Sequence, residues 1–353
     1  MVLIVEPGTR YAKICSFGVS EGLSFTFAAD DLTEKNLQKK IAHIFKNAPI
    51  EAIAFRVLFG ADYFNAPVFV GGSFFKKFEK LTDLFPFYIP HAARMLGIFY
   101  KNFKNIPLIA FFETSFFTKL TNEESYYAIP YSYHEANRIK KFGFHGIFHE
   151  AASGLFAKNK KVISVVLDRQ TTVCAASGGI PATISLGYTP LEGIMSRTAC
   201  GDLDPGIVFY LINKGNYSLF KIDDILKHDS GFKGLTGYDL SFEEFIKLYG
   251  RDNNVNLAFE IYGNQILKYI GEGIAIMGGV DSIVFSGCFL PLLQPFIHSL
   301  IKKISFLGIS LMQLPWDNQK EAVRVSSENS KIEAWLNYRS IEKTIFLSLT
   351  DYL

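Results

Sequence analysis

The sequence predicts an α/β fold of two domains built on one plan used twice, and three observations predict it. Val2 to Phe17 and Val162 to Ser177 each read as strand, tight turn, strand. Short apolar strands alternate with stretches of helical period around these hairpins. The chain has 353 residues, more than one hydrophobic core comfortably holds.

Each element has its own signal. Apolar Val2 to Val5, the breakers Pro7 and Gly8, and Ala12 to Cys15 make the first hairpin. Thr33 to Lys46 places Leu37, Ile41, Ile44 and Phe45 at helical spacing, and Ala52 to Leu58 and Leu108 to Phe112 read as short strands. The second hairpin has apolar Val162 to Leu167, a polar tip at Asp168-Arg169-Gln170-Thr171 and apolar Val173 to Ala176. Its likeness to the first points to an internal duplication whose two tips face a shared cleft. Leu257 to Met277 is a long apolar-periodic helix stopped by Gly278-Gly279. Ser282 to Phe285 is a buried strand, Gly287 opens a turn, and Pro291 suits the first turn of the next helix.

Composition narrows the function classes. Lys and Arg number 36 against 34 Asp and Glu, a net charge of +2, and no basic run marks a nucleic-acid footprint. Cys15, Cys174, Cys200 and Cys288 form no CxxC pair, so reduced thiols at core or near-core positions of a cytoplasmic protein are expected. Neither a positive leader nor an apolar run long enough to span a bilayer is evident. The 34 Phe and 17 Tyr predict a bulky aromatic core, with room for a large interface.

Three segments carry the chemistry: Gly143-Phe144-His145-Gly146-Ile147-Phe148-His149, then Tyr188-Thr189-Pro190-Leu191-Glu192-Gly193, then Gly201-Asp202-Leu203-Asp204-Pro205. In this order and spacing they resemble the acetate kinase family, with its GFHGTSH-like, TPLEG and GDIDP segments, and the resemblance covers almost the whole chain. It implies the duplicated actin-like ATPase fold shared by acetate and sugar kinases, Hsp70 and actin. The implied N-terminal domain is 1–117, joined by a C-terminal helix at about 343–353. The C-terminal domain, 118–342, would carry a homodimer interface. The implied activity is reversible transfer of the ATP γ-phosphoryl group to a short-chain carboxylate, giving an acyl phosphate, with Mg²⁺ as cofactor.

The resemblance also assigns an acid-binding set. Arg56, in Phe55-Arg56-Val57-Leu58-Phe59-Gly60, matches the family's substrate arginine, and a guanidinium fork holds carboxylate or phosphate bidentately. His145 matches the histidine that stabilises the transferring phosphoryl group, whereas His149 reads as structural. Glu113 stands where the family has aspartate, and its extra methylene shifts the carboxylate by a distance that can cost on the order of a hundredfold in a well-positioned site. His91 matches a histidine of an HNP-like segment, and Leu58, Phe144 and Pro190 map to the pocket for the acid's alkyl group.

On the nucleotide side the chain departs from the family. Its first hairpin reads Glu6-Pro7-Gly8-Thr9-Arg10-Tyr11-Ala12-Lys13 against NAGSSSLK, keeping Gly8, Thr9 and Lys13 while Pro7 lacks an N–H. The second hairpin tip has lost the glycines of HLGNGS; Asp168 would repel phosphate and Arg169 would attract it. Gly287 is the one glycine left of GGIGEN, and because bulky Phe289 and Leu290 would crowd a phosphate, packing is their expected role. Ala199 replaces the second family arginine, and Arg197, two residues earlier, is its candidate substitute. Ile341 stands where TNEE supplies a metal ligand, leaving Glu6 and the adjacent Glu342 as alternative carboxylates. Three readings follow: a carboxylate kinase, a pseudokinase serving as a dimeric anion-binding or protein-interaction module, and, more weakly, a metal-assisted hydrolase in which Glu6, Asp168 and Glu113 converge.

Overall fold

The computed structural model describes residues 1–18, 23–44, 48–316 and 320–353. The chain divides into two compact units, Met1–Thr118 with Ser340–Leu353, and Lys119–Arg339. The first unit holds strands β1 (Val2–Pro7), β2 (Tyr11–Phe17), β3 (Ser24–Ala28), β4 (Ala52–Val57), β5 (Val68–Phe69) and β6 (Leu108–Phe112). The second holds β7 (Lys161–Val166), β8 (Thr172–Ser177), β9 (Ile180–Ile184), β10 (Ser282–Ser286), β11 (Ala322–Arg324) and β12 (Glu333–Asn337).

The two sheets have one order. The first runs β3-β2-β1-β4-β6-β5 and the second, read from its other edge, β9-β8-β7-β10-β12-β11. Strand directions match throughout: β1 is antiparallel to β2 and parallel to β4, as β7 is antiparallel to β8 and parallel to β10. The outermost pairs β5–β6 and β11–β12 are both antiparallel. The duplication expected from the two hairpins is therefore present strand for strand.

In the second unit, alternation along β7 sends Ile163, Val165 and Leu167 into the main core, which the helix Asn253–Met277 covers through Ala258, Tyr262, Ile266 and Ile270. Val162, on the other face, meets Ala152 of the helix Gly146–Ser153. Phe232, Phe242, Phe259, Tyr262 and Phe296 pack ring on ring within that main core. The first unit has an aromatic core of its own, where Phe64 stacks on Phe112 with centroids 4.4 Å apart. Gly60 has a packing reason here, because a Cβ would lie 2.6 Å from the Phe112 ring.

Some expectations need correcting. The first helix begins at Leu37, not Thr33, after a turn in which Asn36 accepts from the Thr33 amide; Phe45 and Lys46 lie outside the described residues. Cys15 and Cys174 are buried and Cys200 is partly so, but Cys288 is exposed. It sits just beyond β10, where its thiol donates to Asp168 Oδ1 at 3.1 Å instead of packing inward. Among the described residues no helix is long and apolar enough to cross a membrane.

Candidate active site

In the first unit the chemistry gathers at the C-terminal ends of three neighbouring parallel strands, the position where open α/β sheets bind ligands. Glu6 lies near the end of β1, Arg56 near the end of β4, and Glu113 directly after β6. Arg56 Nε donates to Glu113 Oε1 at 2.5 Å, and Arg56 Nη1 lies 3.4 Å from Glu6 Oε1. Glu113 is 1% exposed and the Arg56 side chain 13%. A carboxylate so buried needs its cation. The longer glutamate, expected to misplace the carboxylate, here makes the direct bond to Arg56.

Glu6 is less well served. Its Oε1 is buried and accepts no hydrogen bond. Burial pushes the Glu6 carboxyl above its ordinary range; Arg56 opposes this and Glu342 reinforces it. Lys13, opposite Glu6 in the hairpin register, pairs with Glu342. Burial works against the Lys13 ammonium, but the bond and charge of Glu342 outweigh it and raise the pKa; burial likewise opposes the Glu342 carboxylate, which Lys13 nevertheless holds below its usual range. At the hairpin tip, the Gly8 amide donates to Tyr11 O at 3.0 Å and a Cβ on Gly8 would meet that oxygen at 2.4 Å. The amide thus closes the turn, while Thr9 and Arg10 are exposed. Leu58 is 36% exposed just past β4, and His91 is exposed in the first turn of the helix Ile89–Asn102.

In the second unit His145 caps the helix Gly146–Ser153 in a left-handed conformation, φ 60° and ψ 25°. A non-glycine residue held there is strained, and such strain gathers at functional sites. Its Nδ1 lies 2.9 Å from Thr172 Oγ1 on β8, and the same oxygen lies 2.9 Å from Nε2 of His149. His149 Nδ1 in turn lies 2.8 Å from Ser164 Oγ on β7. His149 is fully buried; burial first and the nearby His145 second hold its pKa well below the ordinary value, so the ring is neutral.

The two other motifs lock onto each other. Asp202 Oδ1 accepts from the Gly193 amide at 2.7 Å and Oδ2 from Tyr269 at 2.6 Å, while the Asp202 amide donates to Gly193 O. Glu192 accepts from the Tyr127 hydroxyl, and a Cβ on Gly187 would collide with both groups. Asp204 caps the helix Pro205–Gly215 by accepting from Gly206 N, with Pro205 in its first turn. These bonds fix the loops around His145's unit.

The remaining predicted residues fall as follows. Phe144 is half-buried and Pro190 exposed. Arg197 donates to Asp239 at 2.8 Å and to Leu240 O at 3.2 Å. Arg169 is exposed, its amide donating to Asp168 Oδ1. Gly287 has φ +107° and would place a Cβ 2.3 Å from Leu167 O, so its glycine serves close backbone packing. Phe289 and Leu290 turn into the core, the packing role expected of them. Among the described residues no cluster of three or more His, Cys, Asp or Glu side chains is placed to hold a metal. Sequence reasoning missed Ser164 and Thr172; the signal was a hydroxyl inside the apolar runs Val162-Ile163-Ser164-Val165-Val166 and Thr172-Val173-Cys174-Ala175.

A duplicated sheet with helices packed on it, strand-end polar groups in the first repeat and a hydroxyl-bonded histidine in the second, defines a protein of the actin-like ATPase fold class. The chain belongs to the acetokinase family, whose profile matches residues 11–345. It is 32% identical over 296 residues to an acetate kinase of Dictyoglomus thermophilum, covering 81% of this chain and 74% of that one. The acetate kinase of Halothermothrix orenii is 30% identical over 296 residues, with the same shares. The fold matches the crystal structure of Porphyromonas gingivalis acetate kinase with a TM-score of 0.88 at 21% identity, over 99% of this chain and 98% of the other. A propionate kinase of Francisella tularensis matches with a TM-score of 0.84 at 23% identity, over 98% and 97%.

Proposed function

We propose that the protein is an acetate-kinase-type phosphotransferase, moving the γ-phosphoryl group of ATP reversibly onto a short-chain carboxylate. Relatives named acetate kinase at about 30% identity support the reaction class. The observation that carries it is Arg56 at a sheet's C-terminal edge, on a strand flanked by the acids Glu6 and Glu113. Arg56 would hold the acid's carboxylate and His145 would donate to the phosphoryl oxygens, where charge builds as the two anions meet. Leu58, His91, Phe144 and Pro190 would bound the alkyl group. Exposed Arg10 and Arg169 would attract the polyphosphate.

Glu6 is the carboxylate that fits Mg²⁺. Its buried oxygen lacks a hydrogen bond, and Mg²⁺ commonly takes one or two protein carboxylates and completes its shell with water and phosphate oxygens. When bound, the ion neutralises phosphate charge.

A second reading, a pseudokinase that keeps the fold and an anion pocket, is favoured by particular bonds. The Gly8 amide closes its own turn, Lys13 is held by Glu342, and Arg56 is already flanked by two acids. One assay separates the readings. Hydroxylamine trapping with Mg-ATP and acetate, propionate or butyrate yields acyl hydroxamate for the kinase and none for the pseudokinase. Mg-ATP at about a hundred times its dissociation constant adds roughly 2.7 kcal/mol of stability if it binds, and no thermal shift rejects the kinase.

We also propose that the second unit self-associates. The helix Pro205–Gly215 has no buried residue, and Ile207, Phe209, Tyr210, Leu219 and Phe220 are 43–90% exposed. An apolar patch of this kind marks an interface, and a second copy is the occupant implied by the family. Sedimentation of Phe209→Lys should give monomer where the wild type gives dimer; a monomeric wild type rejects the idea.

A further inference from the structure

The Thr172 hydroxyl touches two imidazoles, and counting hydrogens along the chain it joins decides which nitrogen of His145 carries a proton. The chain runs Ser164 Oγ, His149 Nδ1, His149 Nε2, Thr172 Oγ1, His145 Nδ1, with contacts of 2.8, 2.9 and 2.9 Å. A hydroxyl has one hydrogen to give. In one arrangement every hydrogen points toward His145: Ser164 donates to His149 Nδ1, His149 Nε2–H donates to Thr172, and Thr172 donates to His145 Nδ1. In the reverse arrangement His149 Nδ1–H donates to Ser164, whose own hydrogen then has no acceptor.

Ser164 is 3% exposed, and His149 is its one side-chain hydrogen-bond partner among the described residues. Reversal therefore strands a buried donor, which is costly. If both rings donate to Thr172, which is 0% exposed, the threonine hydrogen is stranded instead. A doubly protonated His149 would satisfy neither neighbour better, and full burial keeps that ring neutral.

We propose that Ser164, His149 and Thr172 are positioning residues that hold His145 as the neutral tautomer protonated at Nε2. The ring then presents an N–H donor instead of a lone pair, the form that stabilises a negative phosphoryl oxygen. The use of that donor rests on the phosphotransfer reading above; the tautomer does not.

Ring nitrogen NMR of the full chain labelled with ¹⁵N-histidine tests it, with His145 assigned from a His145→Gln spectrum. In the neutral ring, Nδ1 of His145 should resonate as unprotonated and Nε2 as protonated. Thr172→Val should erase that preference and Thr172→Ser should restore it. A protonated Nδ1 in the wild type, or an unchanged tautomer in Thr172→Val, overturns the proposal. If Thr172→Val does not fold, Thr172→Ala replaces it with the same expectation, and an unchanged tautomer there overturns the proposal. Hydroxamate turnover, read in parallel, should fall in Thr172→Val and return in Thr172→Ser. A correct tautomer without turnover rejects the kinase reading and leaves this one standing.

Discussion

The two hairpins differ most one rung in from their tips. In the first unit that rung pairs Glu6 with Lys13; in the second it pairs Val165 with Val173. The same backbone plan thus carries charge at a position where its copy carries core. In the first unit each charge needs another: Lys13 takes Glu342, and Arg56 lies between Glu6 and Glu113. In the second, polarity sits on the opposite sheet face as a hydrogen-bonded chain of hydroxyls and imidazoles in which the buried His149 is neutral. A buried charge network fails when one member is lost, because the partner is left uncompensated. A chain of hydroxyls and imidazoles that loses a member leaves an unmet hydrogen bond, about 1–3 kcal/mol, and loses its direction.

Removing Arg56 should break the contrast hardest. Arg56→Ala leaves the nearly inaccessible Glu113 carboxylate without its cation, at a cost of about 3–5 kcal/mol in denaturant unfolding, and acid-dependent hydroxamate formation should vanish. A loss below about 1 kcal/mol would mean that the pair is no better than a surface one. His145→Ala comes next: turnover should fall roughly 10²–10³-fold, the effect of losing one donor to developing charge, and stability should drop by about 1–3 kcal/mol because the buried Thr172 hydroxyl loses its acceptor.

The pH profile sharpens the comparison further. His149 has a folded pKa below its unfolded value of about 6.5, so the unfolded chain binds the extra proton. Stability is full above that pH and declines below it, by up to ~1.4 kcal/mol per pH unit from this group. His149→Gln should flatten that limb. Glu6 works the other way, because burial lifts its folded pKa above the ordinary value of 4.5. Its protonated form favours the fold, so the wild type gives up stability as pH rises from 4.5 through the raised value. Glu6→Gln should remove this slope, and a steeper profile in that variant would show that Glu6 ionised is stabilising.

The fold was legible because both hairpins and the long helix declare their periods in sequence. The short edge strands β5 and β11 were not, since Val68–Phe69 and Ala322–Arg324 are too brief for a period to register. Arg56 and His145 stood out as polar residues in matched motifs. What could not be read was partnership: nothing local tells that Glu342 reaches Lys13, that Arg197 turns to Asp239, or that Thr172 joins two histidines. Those pairings cross 42 to 329 positions or depend on which face of a strand a hydroxyl takes.

The helix Ile341–Leu349 packs on β1 and β4, with Ile345 and Leu349 at 0% and 1% exposure, and supplies the acid that Lys13 requires. A ribosome releases β1 long before that helix. The unit that emerges first must therefore wait, with β1 and β4 lacking this helix, until Ser340–Leu353 has been synthesised, whereas Lys119–Arg339 can close on itself beforehand.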